Sequence, residues 1–156
     1  MRKIDINGEE VSLDPSNLQF SHENLNDYLC KVPALYAYYS DKWAEAQHVN
    51  YCQEDISESV YAHKFEFYKN DGVSDKLAEA KTKSDKEVMD AKSAARQSKL
   101  DMQAIYGYLR ALDKAHENAL NLGYNIRKEM DKIHPGIKSG RDMDIDKALE
   151  RVLNEE

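Results

Sequence analysis

From Val88 onward, apolar or small residues recur at alternating steps of three and four: Val88, Ala91, Ala95, Ser98, Met102, Ile105, Leu109, Leu112, His116 and Ala119. That spacing lines one face of an α-helix and matches no face of a strand. Sustained over more than four heptads, it is a packing seam. Its first half uses small residues, which lets a second helix approach closely, and its second half uses large ones. A seam of this length needs cover from another helix of the same chain or of a sister subunit. His116 lies on it and reads as a core or register residue rather than a metal ligand.

The helix to cover it lies upstream. Between Pro33 and about Lys69 no breaker occurs. Proline has no N–H to donate, so Pro33 suits the first turn of a helix and not its interior. Leu35, Tyr39, Trp43, Ala46, Val49, Ile56, Val60 and Phe67 follow, mostly three or four apart, with Gln53 and His63 as polar interruptions. Such a helix runs roughly 55 Å at its ordinary rise. Asn70-Asp71-Gly72 ends it. Either Ser74 or Thr82-Lys83-Ser84 starts the next helical stretch. The expectation is two long antiparallel helices joined near 70–83.

Shorter elements flank this hairpin. Ile4 and Ile6 alternate with polar neighbours, Asn7-Gly8 is a turn signal, and Val11 and Leu13 alternate again. Two strands this short are not stable alone, so the arm lies on helices or pairs with another chain. Ser21 is the expected cap of a helix over 22–31. Leu122-Gly123 reads as a stop or kink. A helix over 124–134 then ends at His134-Pro135-Gly136, and Asp144 caps a last amphipathic helix. The organisation expected is an extended N-terminal arm (1–20), a helical domain (21–140) and an acidic C-terminal helix (141–156). Charged residues make up 33% of the chain, with only three Pro and six Gly among 156 residues. These proportions belong to long solvated helices. The fold class is therefore all-α, a long helical hairpin with flanking helices that assembles as a homo-oligomer to hide its remaining apolar stripe.

The chain carries a formal net charge of −7, unevenly placed. Residues 1–75 hold six basic and fourteen acidic groups, and residues 76–140 hold thirteen basic and nine acidic. A basic middle between acidic ends marks a local anion-binding face. No apolar run reaches transmembrane length, so no membrane partner is expected. The opening MRKIDINGEEV lacks the apolar stretch of a secretory signal. With Cys30 and Cys52 far apart, reduced thiols and a cytoplasmic location are expected.

No nucleophile elbow, Gly-rich phosphate loop, His-Glu-x-x-His or Cys-x-x-Cys occurs, so neither enzyme chemistry nor a cofactor is expected. Asp142-Met143-Asp144-Ile145-Asp146 opens like a calcium loop, but Lys147 and Leu153 stand where that loop needs Gly and Glu. No metal site follows from it. The Tyr36, Tyr38, Tyr39 and Trp43 stretch reads as packing, with Tyr38 off the stripe. The segment His63-Lys64-Phe65-Glu66-Phe67-Tyr68-Lys69 is different, because it alternates cations with flat rings beside a Gly turn. Single strands are held by cations along the backbone and by rings under the bases. Lys76, Lys81, Lys83, Lys86, Lys92, Arg96 and Lys99 follow across the turn, and the hairpin brings both sets to one end. The candidate strand-binding residues are His63, Lys64, Phe65, Tyr68, Lys69, Lys81, Lys83, Lys86, Lys92 and Arg96.

Three stretches also resemble the recombination mediator proteins of large tailed phages, the UvsY type. They are Leu13-Asp14-Pro15-Ser16-Asn17-Leu18-Gln19-Phe20; Tyr39-Ser40-Asp41-Lys42-Trp43; and Lys64-Phe65-Glu66-Phe67-Tyr68 with the Asp71-Gly72 turn, Lys86-Glu87-Val88 and the seam helix to Leu122-Gly123-Tyr124. The resemblance spans roughly residues 11–132. It implies a helical protein that assembles into rings, binds single-stranded DNA and helps a RecA-like recombinase displace single-strand-binding protein. A basic family position falls on Lys64, and a second, two residues earlier, is Ala62 here. The rival reading is a helical assembly or scaffold protein of a phage with no DNA binding.

Overall fold

The computed structural model describes residues 1–133. A β-hairpin comes first, β1 (Arg2–Ile6) and β2 (Glu9–Leu13), followed by a 3-10 turn at Pro15–Leu18. Three helices follow: α1 (Leu25–Asn70), α2 (Asp75–Ser84) and α3 (Lys86–Ile133). Two compact units are distinguished, Met1–His116 and Glu117–Glu156. The described part of the second is the last stretch of α3. The C-terminal helix expected around Asp144 and the stop at His134-Pro135-Gly136 lie outside the described residues.

Within the first unit, α1 and α3 run antiparallel. Tyr39 meets Tyr108, Trp43 meets Tyr106, Asn50 meets Ser98 and Lys64 meets Glu87, so numbers rise on one helix as they fall on the other. The α3 seam packs as its spacing requires. Val88, Ile105, Leu109 and Leu112 are buried, and Ala91, Ala95, Ser98 and Met102 are half-buried.

The α1 stripe departs from expectation. Ile56 and Phe67 are about half exposed, while Lys42, Asn50 and Ser57 take buried positions. Counting apolar residues alone misplaced the stripe by about one position, because polar groups with partners also serve a seam. Ser98 Oγ shares its proton between Ala95 O at 2.9 Å and Asn50 Oδ1 at 3.3 Å across the interface, which gives the buried amide a polar partner.

Pro33 lies inside α1, not at the start of a second helix. The expected 22–31 helix and the long helix are therefore one element. The ring removes the bond that Leu29 C=O would accept, but this is a single loss in 46 residues. The helix begins after Asn24 rather than at Ser21. Ser21 N–H and Oγ both donate to the Asn24 carboxamide oxygen, at 2.6 and 3.2 Å. The stop expected at Leu122-Gly123 is also absent, since α3 continues to Ile133. One glycine inside a helix costs only about 1 kcal/mol.

The arm is a hairpin on its own chain's helices. Asn7 and Gly8 both have positive φ, 53° and 84°, the backbone of a two-residue turn that matches strand twist. Gly8 N–H donates to Asp5 Oδ1 at 2.9 Å. Ile4 pairs with Val11, and Ile4, Ile6, Val11 and Leu13 are all buried in a core with Tyr39, Ile105, Tyr108 and Leu112. Burying each such side chain stabilises by about 1.5–3 kcal/mol. Arg2 and Glu9 sit opposite Leu13 and Ile6 in the register. They reach the same helices, Arg2 to Asp101 at 3.3 Å and Glu9 to Lys42 at 2.7 Å. Two tyrosines clasp the chain as it leaves β2: Tyr39 OH donates to Ser12 O and Tyr108 OH to Asp14 O, both at 2.6 Å. Burial pushes the Tyr39 phenol well above its usual range.

Candidate nucleic-acid interface

The bend is built from the end of α1, the short helix α2 and the start of α3. Asp71 caps α1, Gly72 takes φ 77° and its N–H donates to Lys69 O at 3.1 Å. Of the two expected helix starts only Ser74 is used; Thr82, Lys83 and Ser84 are the last turn of α2, and the next helix starts after Asp85. Ser74 precedes α2, and Asp85 breaks the chain between α2 and α3. Asp85 serves α3 as a cap, its Oδ1 accepting from Glu87 N–H at 2.9 Å.

Asp85 organises the bend. Its Oδ2 accepts from Tyr68 OH at 2.7 Å and lies 3.6 Å from Lys64 Nζ. Lys64 Nζ also contacts Glu87 at 2.8 Å. The Tyr68 hydroxyl, with help from Lys64, holds the Asp85 carboxyl below the usual carboxylate range. The same hydrogen bond pushes the Tyr68 phenol up, and the Glu87 hydrogen bond pushes the Lys64 ammonium up. Lys64 is therefore a fixed cation whose charge is already met by two carboxylates.

The other expected site residues divide clearly. Lys81 lies over the Tyr68 ring at 5.7 Å and Lys92 over the Tyr61 ring at 4.8 Å. Lys69 pairs with Asp75 at 3.3 Å, and Lys83 pairs with Glu79 on its own helix. Lys86 and Arg96 are exposed and, among the described residues, make no ion pair; the same holds for Lys99. His63 is exposed. Phe65 is half-buried, whereas Phe67 is 55% exposed and edge-on to Tyr68 at 5.4 Å. The open ring at the bend is thus Phe67.

Three features escaped sequence reasoning. Asp85 and Glu87 neutralise Lys64, a pairing between elements that no local spacing announces. Tyr61 was passed over, although it stands one helical turn before Lys64. On α3, Lys92, Arg96, Lys99, Gln103, Tyr106 and Arg110 recur at alternating steps of four and three and so share a face. No carboxylate interrupts that stripe, which was legible in the sequence behind the apolar seam.

Among the described residues, no cluster of His, Cys, Asp or Glu is arranged to hold a metal ion, and no helix is long and apolar enough to cross a membrane. Comparison with protein-family models, with curated proteins and with solved structures finds no match.

Proposed function

We propose that this protein is a non-catalytic binder of single-stranded DNA that acts as a recombination mediator, helping a RecA-like recombinase take over strands covered by single-strand-binding protein. One observation carries the DNA-binding part: cations and flat rings gather at the bend and continue as a basic stripe on α3. Lys86, Lys92, Arg96 and Lys99 supply charge not consumed by carboxylates, and Phe67 supplies the open ring, beside Tyr61 and Tyr68, which Lys92 and Lys81 overlie. Lys64 and Lys69 contribute once phosphates displace Glu87 and Asp75. Self-association into a homo-oligomer, closed as a ring in the manner of the family it resembles, multiplies a weak single-copy site through avidity. The mediator role rests on the sequence resemblance, and the recombinase and single-strand-binding protein are its expected partners in the host cytoplasm.

A second reading is favoured by a specific observation. Lys64 and Lys69 are closed in ion pairs, and Tyr36, Tyr51 and Tyr106 are exposed. These features suit a helical assembly protein that binds only other chains. Fluorescence anisotropy with a labelled oligonucleotide at low salt separates the two. Saturable binding at micromolar protein supports the strand binder, and its absence supports the assembly protein.

A further inference from the structure

At the level of Tyr39 and Tyr108, the α1/α3 layer carries the β-hairpin on one face and an open groove on the other. The groove has a volume of about 560 Å³ and is lined by Tyr36, Ser40, Trp43, Tyr106, Arg110 and Asp113, among others. That volume lies within the range of small-ligand sites. Trp43 and Tyr106 meet across the two helices at 5.7 Å between centroids, tilted by 36°. Tyr36 and Tyr106 remain 44% and 48% exposed. Arg110 and Asp113 are exposed and, among the described residues, neither makes an ion pair. The groove thus offers ring surface, one unpaired guanidinium and one unpaired carboxylate.

We propose that this groove is a second strand subsite that seats one unstacked guanine base. The inference rests on the single-strand reading above and names the base that one part of the surface takes. Rings are sequence-tolerant stacking platforms. A carboxylate accepts and cannot donate, so Asp113 fits a base edge with two adjacent donors, which among the DNA bases is guanine with its N1–H and N2–H₂. Arg110 suits the phosphate. The α3 stripe supplies charge complementarity and continuity, since Lys92, Arg96 and Lys99 lead from the bend to Tyr106 and Arg110 on one face. Trp43 lies 21 residues from Lys64 on α1, roughly 30 Å along the helix, so one strand spans both places.

Trp43 is the single tryptophan, so its emission reports on the groove directly. The test uses the full chain and two probes: free guanosine monophosphate at millimolar concentration, and a thymidine oligomer carrying one guanine. Both quench Trp43, and cytidine monophosphate and the all-thymidine oligomer quench it several-fold less. Tyr106→Ala weakens quenching about tenfold, within the range for loss of one base stack. Asp113→Asn removes the guanine preference while far-ultraviolet circular dichroism stays unchanged. Emission indifferent to both guanine probes overturns the proposal. So does an emission change that follows protein dilution alone, which assigns the groove to a second copy of the chain. Anisotropy run in parallel separates the two readings. Strand binding with silent Trp43 sinks the groove and spares the bend, whereas mononucleotide quenching without strand binding does the reverse.

Discussion

Arg96→Ala combined with Lys99→Ala tests the bend in a quantity that follows from counting charges. Both residues are exposed, make no ion pair and lie on the α3 stripe. Four cations of the bend half of α3 are free of carboxylates, namely Lys86, Lys92, Arg96 and Lys99. A single strand releases counterions with a slope of about −0.7 in log K against log salt for each phosphate neutralised. Four contacts give a slope of about −2.8 per engaged chain, or roughly a fifty-fold loss of affinity between 50 and 200 mM salt. Removing two lowers the slope to about −1.4 and the loss to about seven-fold. Surface substitutions of this kind change stability by at most about 0.5 kcal/mol, so the fold stays intact. The assay is anisotropy of a labelled oligonucleotide across that salt range. An unchanged slope in the double variant refutes the reasoning, because the strand then does not follow this stripe.

Other expectations concern the bend and the core. Glu87→Gln removes the nearer partner of Lys64 and raises strand affinity at low salt, measured by the same anisotropy titration; weaker binding contradicts the assignment. Leu112 is fully buried, so Leu112→Ala costs about 2–5 kcal/mol in denaturant unfolding and leaves the salt slope unchanged. Tyr39→Phe strands the part-buried Ser12 carbonyl and costs about 1–3 kcal/mol, with the β-hairpin becoming the first site of limited proteolysis. The Asp85 carboxyl has a lowered folded-state pKa, so its contribution is fully present above the ordinary carboxylate range and is lost as pH falls through that lowered value. Tyr68→Phe should therefore destabilise at neutral pH, with the difference from the parent protein vanishing in acid; a difference that persists in acid contradicts this linkage.

The long-range order of the fold was legible where local spacing and tertiary packing agree. Val88 to Leu112 keeps one register because every member faces the same partner, and Asn7-Gly8 announces a turn whose φ values few other pairs adopt. The stretch from Leu35 to Phe67 misled because burial was counted by apolarity. Lys42 is buried through Glu9, with Glu45 beside it on α1, and Asn50 through Ser98; Glu9 and Ser98 arrive only once the chain folds back. Pro33 and Gly123 were read as breaks, yet a helix this long absorbs one missing donor or one flexible residue when packing holds it. At the bend, the cations were visible and their partners were not. Asp85 collects Tyr68 and Lys64 only after α2 has turned the chain, so the residue that controls Lys64 lies 21 positions away.

Photo-cross-linking of a bromouridine-substituted single strand to the intact protein, followed by peptide mapping, tests most directly whether unpaired DNA lies along the bend and the basic face of α3. The account predicts adducts within residues 61–68 and on α3 between Lys92 and Arg110. Adducts confined to the β-hairpin, or none under conditions where the strand is in excess, would contradict it.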